Sequence, residues 1–171
     1  YSYDPLEIYD RVYSYDQDLV ELTARNDEAD MVLFVRNSQG QQGAGDVYCG
    51  AASAGVVNAY EYLPPLVVLT CEDAESQSTI AYAPNIGPHE FGHVFGLAHE
   101  STAEDPGIPH LRFGRPYINE AQDIATIMST VPESAPFFSS PILIYQGLVL
   151  GDIDTSASVT ARNQSAPNVA L

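Results

Sequence analysis

The stretch His89-Glu90-Phe91-Gly92-His93-Val94-Phe95-Gly96-Leu97-Ala98-His99-Glu100 places three of the chain's four histidines within eleven residues. Residues four apart share a helix face, so His89 and His93 can aim their imidazoles at one point. Pro88 suits a first helical position and predicts that the helix begins there. Glu90 falls one residue after His89, which sets a carboxylate beside that point rather than on it. Gly96 readily takes the left-handed conformation that ends a helix, so the chain can turn and deliver His99 from the following loop. Three neutral imidazoles with a fourth position open describe a catalytic zinc site, with His89, His93 and His99 as ligands of one ion. The full spacing H-E-x-x-H-x-x-G-x-x-H is far more specific than its five-residue core. The competing reading is a satisfied polar core beside Phe91, Val94 and Phe95. It needs a separate partner for every ring and leaves the spacing a coincidence.

The rest of the chain supports one domain, residues 1–171, with no linker, repeat or low-complexity tract dividing it. A hydrophobic share of 45% is that of a globular protein. Asp16 to Glu28 reads as a helix, with Leu19, Val20 and Leu22 on its apolar side. Met31 to Val35 and Leu66 to Thr70 read as short buried-type strands. A helix followed by a wholly apolar strand suggests an α/β arrangement with a covered sheet. Asp46 to Val57 reads as extended, and Ser156 to Gln164 as a closing helix capped by Asp154 or Thr155. Asn163-Gln164-Ser165 forms a glycosylation sequon, a weak signal by itself.

Charge narrows the partners. The formal net charge is −17, all six bases are arginine, and residues 37–111 carry nine acids and no base. Such a surface repels phosphate backbones and anionic lipid, so nucleic acid and membranes are not expected partners. No apolar run approaches the ~20 residues that cross a bilayer. Tyr1-Ser2-Tyr3-Asp4-Pro5 lacks a basic region followed by an apolar one, so a secretory signal is expected to be absent or already removed. Cys49 and Cys71 are either two buried thiols or one disulfide. His110 reads as a surface-loop histidine. Calcium is a further candidate ion, but Asp105, Asp123, Asp152 and Asp154 form no dense binding loop and none is assigned.

The zinc motif together with Thr126-Ile127-Met128-Ser129-Thr130 resembles the metzincin zinc endopeptidases, whose second mark is a methionine turn beneath the metal. The resemblance implies an α/β (α+β) metzincin-like fold: a twisted mixed sheet, an active-site helix, a Met-turn at Met128 and a C-terminal helix. His99-Glu100 is similar to the astacin pattern, but Thr130 stands where astacins and serralysins carry a tyrosine, so no tyrosine ligand is expected. Ala29 to Phe34, Cys49-Gly50, Cys71, Phe137 to Gly147 and Ala166 to Ala170 look more like bacterial secreted reprolysin-like metzincins, including peptidyl-Asp metalloendopeptidases. The likeness spans roughly residues 16–171.

That likeness implies hydrolysis of peptide bonds by a zinc-activated water, with Glu90 as general base and then general acid. It also implies secretion, a Cys49–Cys71 disulfide, and a peptide or protein substrate paired to a sheet edge within Asp46–Val57. A pocket for the residue after the cut is expected between the zinc helix and Val131–Phe138. Against the family, the opening strand and helix are expected to be short. A propeptide or a complementing N-terminal segment is therefore an expected partner. The acids around the motif favour neutral or cationic peptides and argue against carrying over Asp specificity. The rival functional reading is a catalytically silent zinc-bearing binding or structural module.

Overall fold

A computed structural model describes residues 31–35, 50–52, 65–69, 83–130 and 134–169. The expected Asp16–Glu28 helix, Cys49, Cys71 and residues 131–133 lie outside the described residues, as does most of the Asp46–Val57 segment.

Strand β1 is Val32–Val35, β2 is Gly50–Ala52 and β3 is Leu66–Leu69. They form a mixed sheet in the order β1-β3-β2, with β1 parallel to β3 and β2 antiparallel to it. Parallel registry pairs Val32 with Leu66 through Val35 with Leu69. The central strand is an unbroken apolar run because both of its faces are covered: Leu66, Val67 and Val68 have no exposed surface. Helix α1, Ala83–Val94, covers one face, where Val94, Phe91 and Phe95 pack with Val67, Leu69 and Val169. Burying a valine of this kind is worth roughly 1.5–3 kcal/mol.

The second half carries two more sheets among the described residues, where one sheet was expected. Strands β4 (Ile118–Asn119), β5 (Ile124–Ile127) and β6 (Ser134–Phe138) pair in that order, antiparallel then parallel. Strands β7 (Ile144–Tyr145) and β8 (Leu148–Val149) form a separate hairpin. Its turn residues Gln146 and Gly147 both have positive φ, as the tight primed turn between twisted strands requires. Leu97, Ile127, Met128 and Ala161 form the core that joins the far side of α1 to β5 and the C-terminal helix.

Two helix starts differ from the sequence expectation. Pro88 is the sixth residue of α1 rather than the first. A helix leaves its first four N–H groups without internal acceptors, so at this position proline forfeits only an early bond, that to the Pro84 carbonyl. The closing helix α2 is Ser158–Ser165, and neither Asp154 nor Thr155 caps it. Asp152 takes both of them instead: its Oδ1 accepts from the Asp154 and Thr155 amides at 2.9 and 3.1 Å. The cap comes from a distant residue, Ser139, whose Oγ accepts the Ser158 amide at 3.0 Å and whose carbonyl accepts the Val159 amide at 3.0 Å. The sequon lies on α2, with Asn163 exposed and Ser165 buried.

The Ser139 and Ser158 hydroxyls are fully buried, 2.9 Å apart, and both donate to the Arg115 carbonyl, at 2.7 and 2.9 Å. Ser139→Ala would strand the Ser158 amide in the interior, at a cost of about 1–3 kcal/mol. Urea unfolding should register that loss; a change below roughly 0.5 kcal/mol would show that this remote cap is dispensable.

Candidate metal centre

The last turn of α1 sets the site's geometry. Leu97 donates to the Gly92 carbonyl at 3.0 Å and Gly96 donates to the His93 carbonyl at 2.8 Å. This paired closure, with Gly96 at φ 75°, is the Schellman arrangement that stops the helix and turns the chain outward. His89 and His93 therefore leave one face of α1, and His99 returns from the loop to meet them. The Nε2 atom of His99 lies 3.0 Å from that of His89 and 3.1 Å from that of His93.

Two of these rings, His93 and His99, present lone pairs, not protons, to the common centre. The Nδ1 of His93 faces the Leu97 carbonyl at 3.1 Å, and the Nδ1 of His99 faces the Asp105 carbonyl at 2.6 Å. A carbonyl can only accept, so in both rings the proton sits on Nδ1 and Nε2 is left as a bare donor atom. Four-coordinate zinc with Zn–N bonds of about 2.0–2.1 Å separates its nitrogen ligands by about 3.3 Å. The donor set and its spacing fit that ion. Among the described residues it is the one group of three or more His, Cys, Asp or Glu side chains whose donor atoms converge.

Burial keeps His89 and His93 neutral. Burial, followed by the neighbouring His93 and His99, lowers the pKa of His89 to about 3. Burial, followed by His99, lowers that of His93 to about 4. Metal ions bind the neutral imidazole, so protons compete poorly here.

Glu90 is 5% exposed, and its side chain lies against β2. A methyl group on Gly50 would come within 2.5 Å of its Cγ and Oε1. The carboxyl thus occupies the space that the absent side chain of β2 leaves open. Burial raises its pKa from 4.5 to about 8. On the other side of α1, a methyl group on Gly92 would collide with the Met128 sulfur and lie 3.2 Å from the Phe138 ring. Met128 is fully buried and holds a positive φ of 85°.

The site draws on residues beyond those expected. Glu100 is buried, and its carboxylate accepts the Thr130 amide at 3.0 Å and the Thr130 hydroxyl, tying the residue after His99 to the turn after Met128. Thr130, expected only as a missing tyrosine, is the partner in that contact. Gly50 carried a signal, since glycine inside an extended run often marks a close approach. The Glu100–Thr130 pairing carried none. His110 stands apart from the cluster: its side chain is exposed and its amide donates to the Gly96 carbonyl at 2.8 Å.

Residues 2–100 match the family described as metallo-peptidase family M12B, reprolysin-like. The chain belongs to the reprolysin-like M12B metallopeptidases. Curated proteins and solved structures give no match. With the three-histidine centre, membership makes this chain a zinc metalloendopeptidase acting on peptides or proteins. No helix among the described residues is long and apolar enough to cross a membrane.

The Glu90 shift predicts a pH dependence of the metal-free protein. The folded carboxyl keeps its proton to about pH 8, whereas the unfolded one loses it near 4.5. Across that window the unfolded chain binds fewer protons, so stability falls as pH rises. His89 and His93 act in the opposite sense, costing stability as pH falls below 6.5. Between pH 6.5 and 8 the Glu90 effect stands without them. Chelator-treated protein should lose stability over that interval in urea titrations, and Glu90→Gln should remove the loss. Equal losses in both proteins would refute the assignment.

Proposed function

We propose that this chain is a secreted zinc-dependent endopeptidase in which Glu90 is the general base and then the general acid of peptide-bond hydrolysis. The observation that carries the reading is the position of Glu90. It sits on the same helix as two of the three imidazoles, buried, with its carboxyl against Gly50 of β2.

His89, His93 and His99 would hold the ion. When bound there, zinc supplies a Lewis acid for the scissile carbonyl, lowers the pKa of water toward ~7 and favours the ionised form of Glu90. Glu90 takes a proton from the attacking water and delivers it to the leaving amine nitrogen. Strand β2 has β3 on one side, and no strand among the described residues pairs with its other side. An extended substrate can add there through main-chain hydrogen bonds, which brings its backbone past Glu90. Met128, on the far side of α1 at Gly92, supports that helix from below in the manner of a Met-turn. Secretion and a Cys49–Cys71 disulfide belong to the same reading, supported by the family and by an acidic, lysine-free composition. So does activation from a latent precursor.

Glu90→Ala should keep one zinc per chain and lose cleavage of a mixed peptide library by about 10²–10⁴-fold, the usual contribution of a general base. If wild type and variant both hold zinc and neither cleaves, the chain is a silent module. The same library reads the charge preference, expected to favour neutral or cationic peptides over acidic ones.

Gly50→Ala tests the positioning of the carboxyl. The added methyl must displace Glu90, so kcat should fall at least about tenfold while zinc stoichiometry stays unchanged. Unaltered kcat would mean that the carboxyl does not depend on that space.

A further inference from the structure

We propose that Arg115 is a positioning residue for the third zinc ligand: it fixes the His99 imidazole by gathering the backbone carbonyls of the loop that carries it. The inference rests on the zinc reading of the histidine triad and goes beyond it.

His89 and His93 stand on a helix, whose own hydrogen bonds hold them. His99 lacks that support, because residues 97–117 contain turns and bends but no helix or strand. Its ring is oriented by one bond, from Nδ1 to the Asp105 carbonyl at 2.6 Å. That carbonyl is only as well placed as the loop around it.

Arg115 supplies the placement. Its Nη1 donates to the His99 carbonyl and to the Pro106 carbonyl, the latter at 3.1 Å, while Nη2 donates to the Gly107 carbonyl at 3.0 Å. One planar fork thus joins the ligand's own backbone to the two residues that follow Asp105. The ring of His99 and the backbone of His99 are tied to the same short strip of chain, one directly and one through the arginine. Gly107, at φ 60°, supplies the sharp turn in that strip.

The fork itself projects from a fixed point. The Arg115 carbonyl accepts the two fully buried hydroxyls of Ser139 and Ser158. Guanidinium suits the task because it presents five donors in one rigid plane and stays charged at any working pH. Lysine has three donors on a single atom and cannot span three carbonyls in this fashion.

The test uses the full chain loaded with zinc, and separately with cobalt(II), whose visible spectrum reports ligand geometry. Zinc release to a chelator is timed for wild type, Arg115→Met, Arg115→Lys, His99→Ala and Arg112→Met. The last removes an arginine whose guanidinium pairs with Asp154 at the surface, 3.2 Å away, and serves as the charge control.

Arg115→Met should release zinc about 10- to 100-fold faster, the usual effect of removing a group that orients a ligand. Its cobalt spectrum should change, its far-ultraviolet circular dichroism should not, and added guanidinium ion should slow its release toward wild type. Arg115→Lys should fall between the two, and Arg112→Met should match wild type. Wild-type release and an unchanged cobalt spectrum in folded Arg115→Met would overturn the proposal. An equal acceleration in Arg112→Met would also overturn it, by showing a general charge effect. So would failure of both Arg115 variants to fold while His99→Ala folds, since the arginine would then hold the fold rather than the ligand. Zinc held by His99→Ala as tightly as by wild type would sink the triad reading itself, a separate failure.

Discussion

Three imidazole nitrogens converge on one point, and much of the surrounding structure answers to that meeting. Without a cation the arrangement is costly, because the desolvated lone pairs of His93 and His99 have been brought to 3.1 Å. With one it becomes strongly favourable. Zinc bound by small peptide sites contributes an apparent ~10–16 kcal/mol. The whole net stability of a domain is only about 5–15 kcal/mol. The protein can therefore spend backbone regularity at the site: a helix halted at Gly96, an exposed loop beyond it, and a methionine held at positive φ. Two glycines make the same point from either side of α1. Gly92 admits Met128 on one side, and Gly50 admits the Glu90 carboxyl on the other.

The parts of this design that repeat locally were legible in the amino-acid sequence. Spacing placed the three histidines together, and Gly96 marked the helix end. Unbroken apolar runs located β1 and β3 to within a residue. The closing helix was found two residues early. Each of these signals lies within a dozen residues and follows from backbone periodicity or from the conformational range of one residue.

What was missed depends on contacts between distant parts of the chain. A proline can stand inside a helix if the turn before it is already short of hydrogen bonds, and nothing in the local pattern reveals how much chain precedes it. The cap of α2 comes from Ser139, 19 residues before Ser158. Glu100 finds Thr130 across 30 residues. Arg115 reads in the sequence as one of six scattered arginines, and its fork acquires meaning only when three carbonyls converge on it. The single expected sheet proves to be several small ones among the described residues, because strands of two to five residues carry too little pattern to show how they group.

The centre is assembled from a short contiguous piece of chain. Ten residues separate His89 from His99, and sixteen separate His99 from Arg115. The groups that anchor Arg115 lie much further along, at separations of 24 and 43 residues. Closing a loop costs entropy that grows with the logarithm of its length, and short closures also form soonest. In kinetic terms the ligand sphere is a local structure set within a non-local scaffold. All three ligands come from the α1 segment and the loop after it, while the groups that hold Arg115 in place are recruited from the far end of the chain.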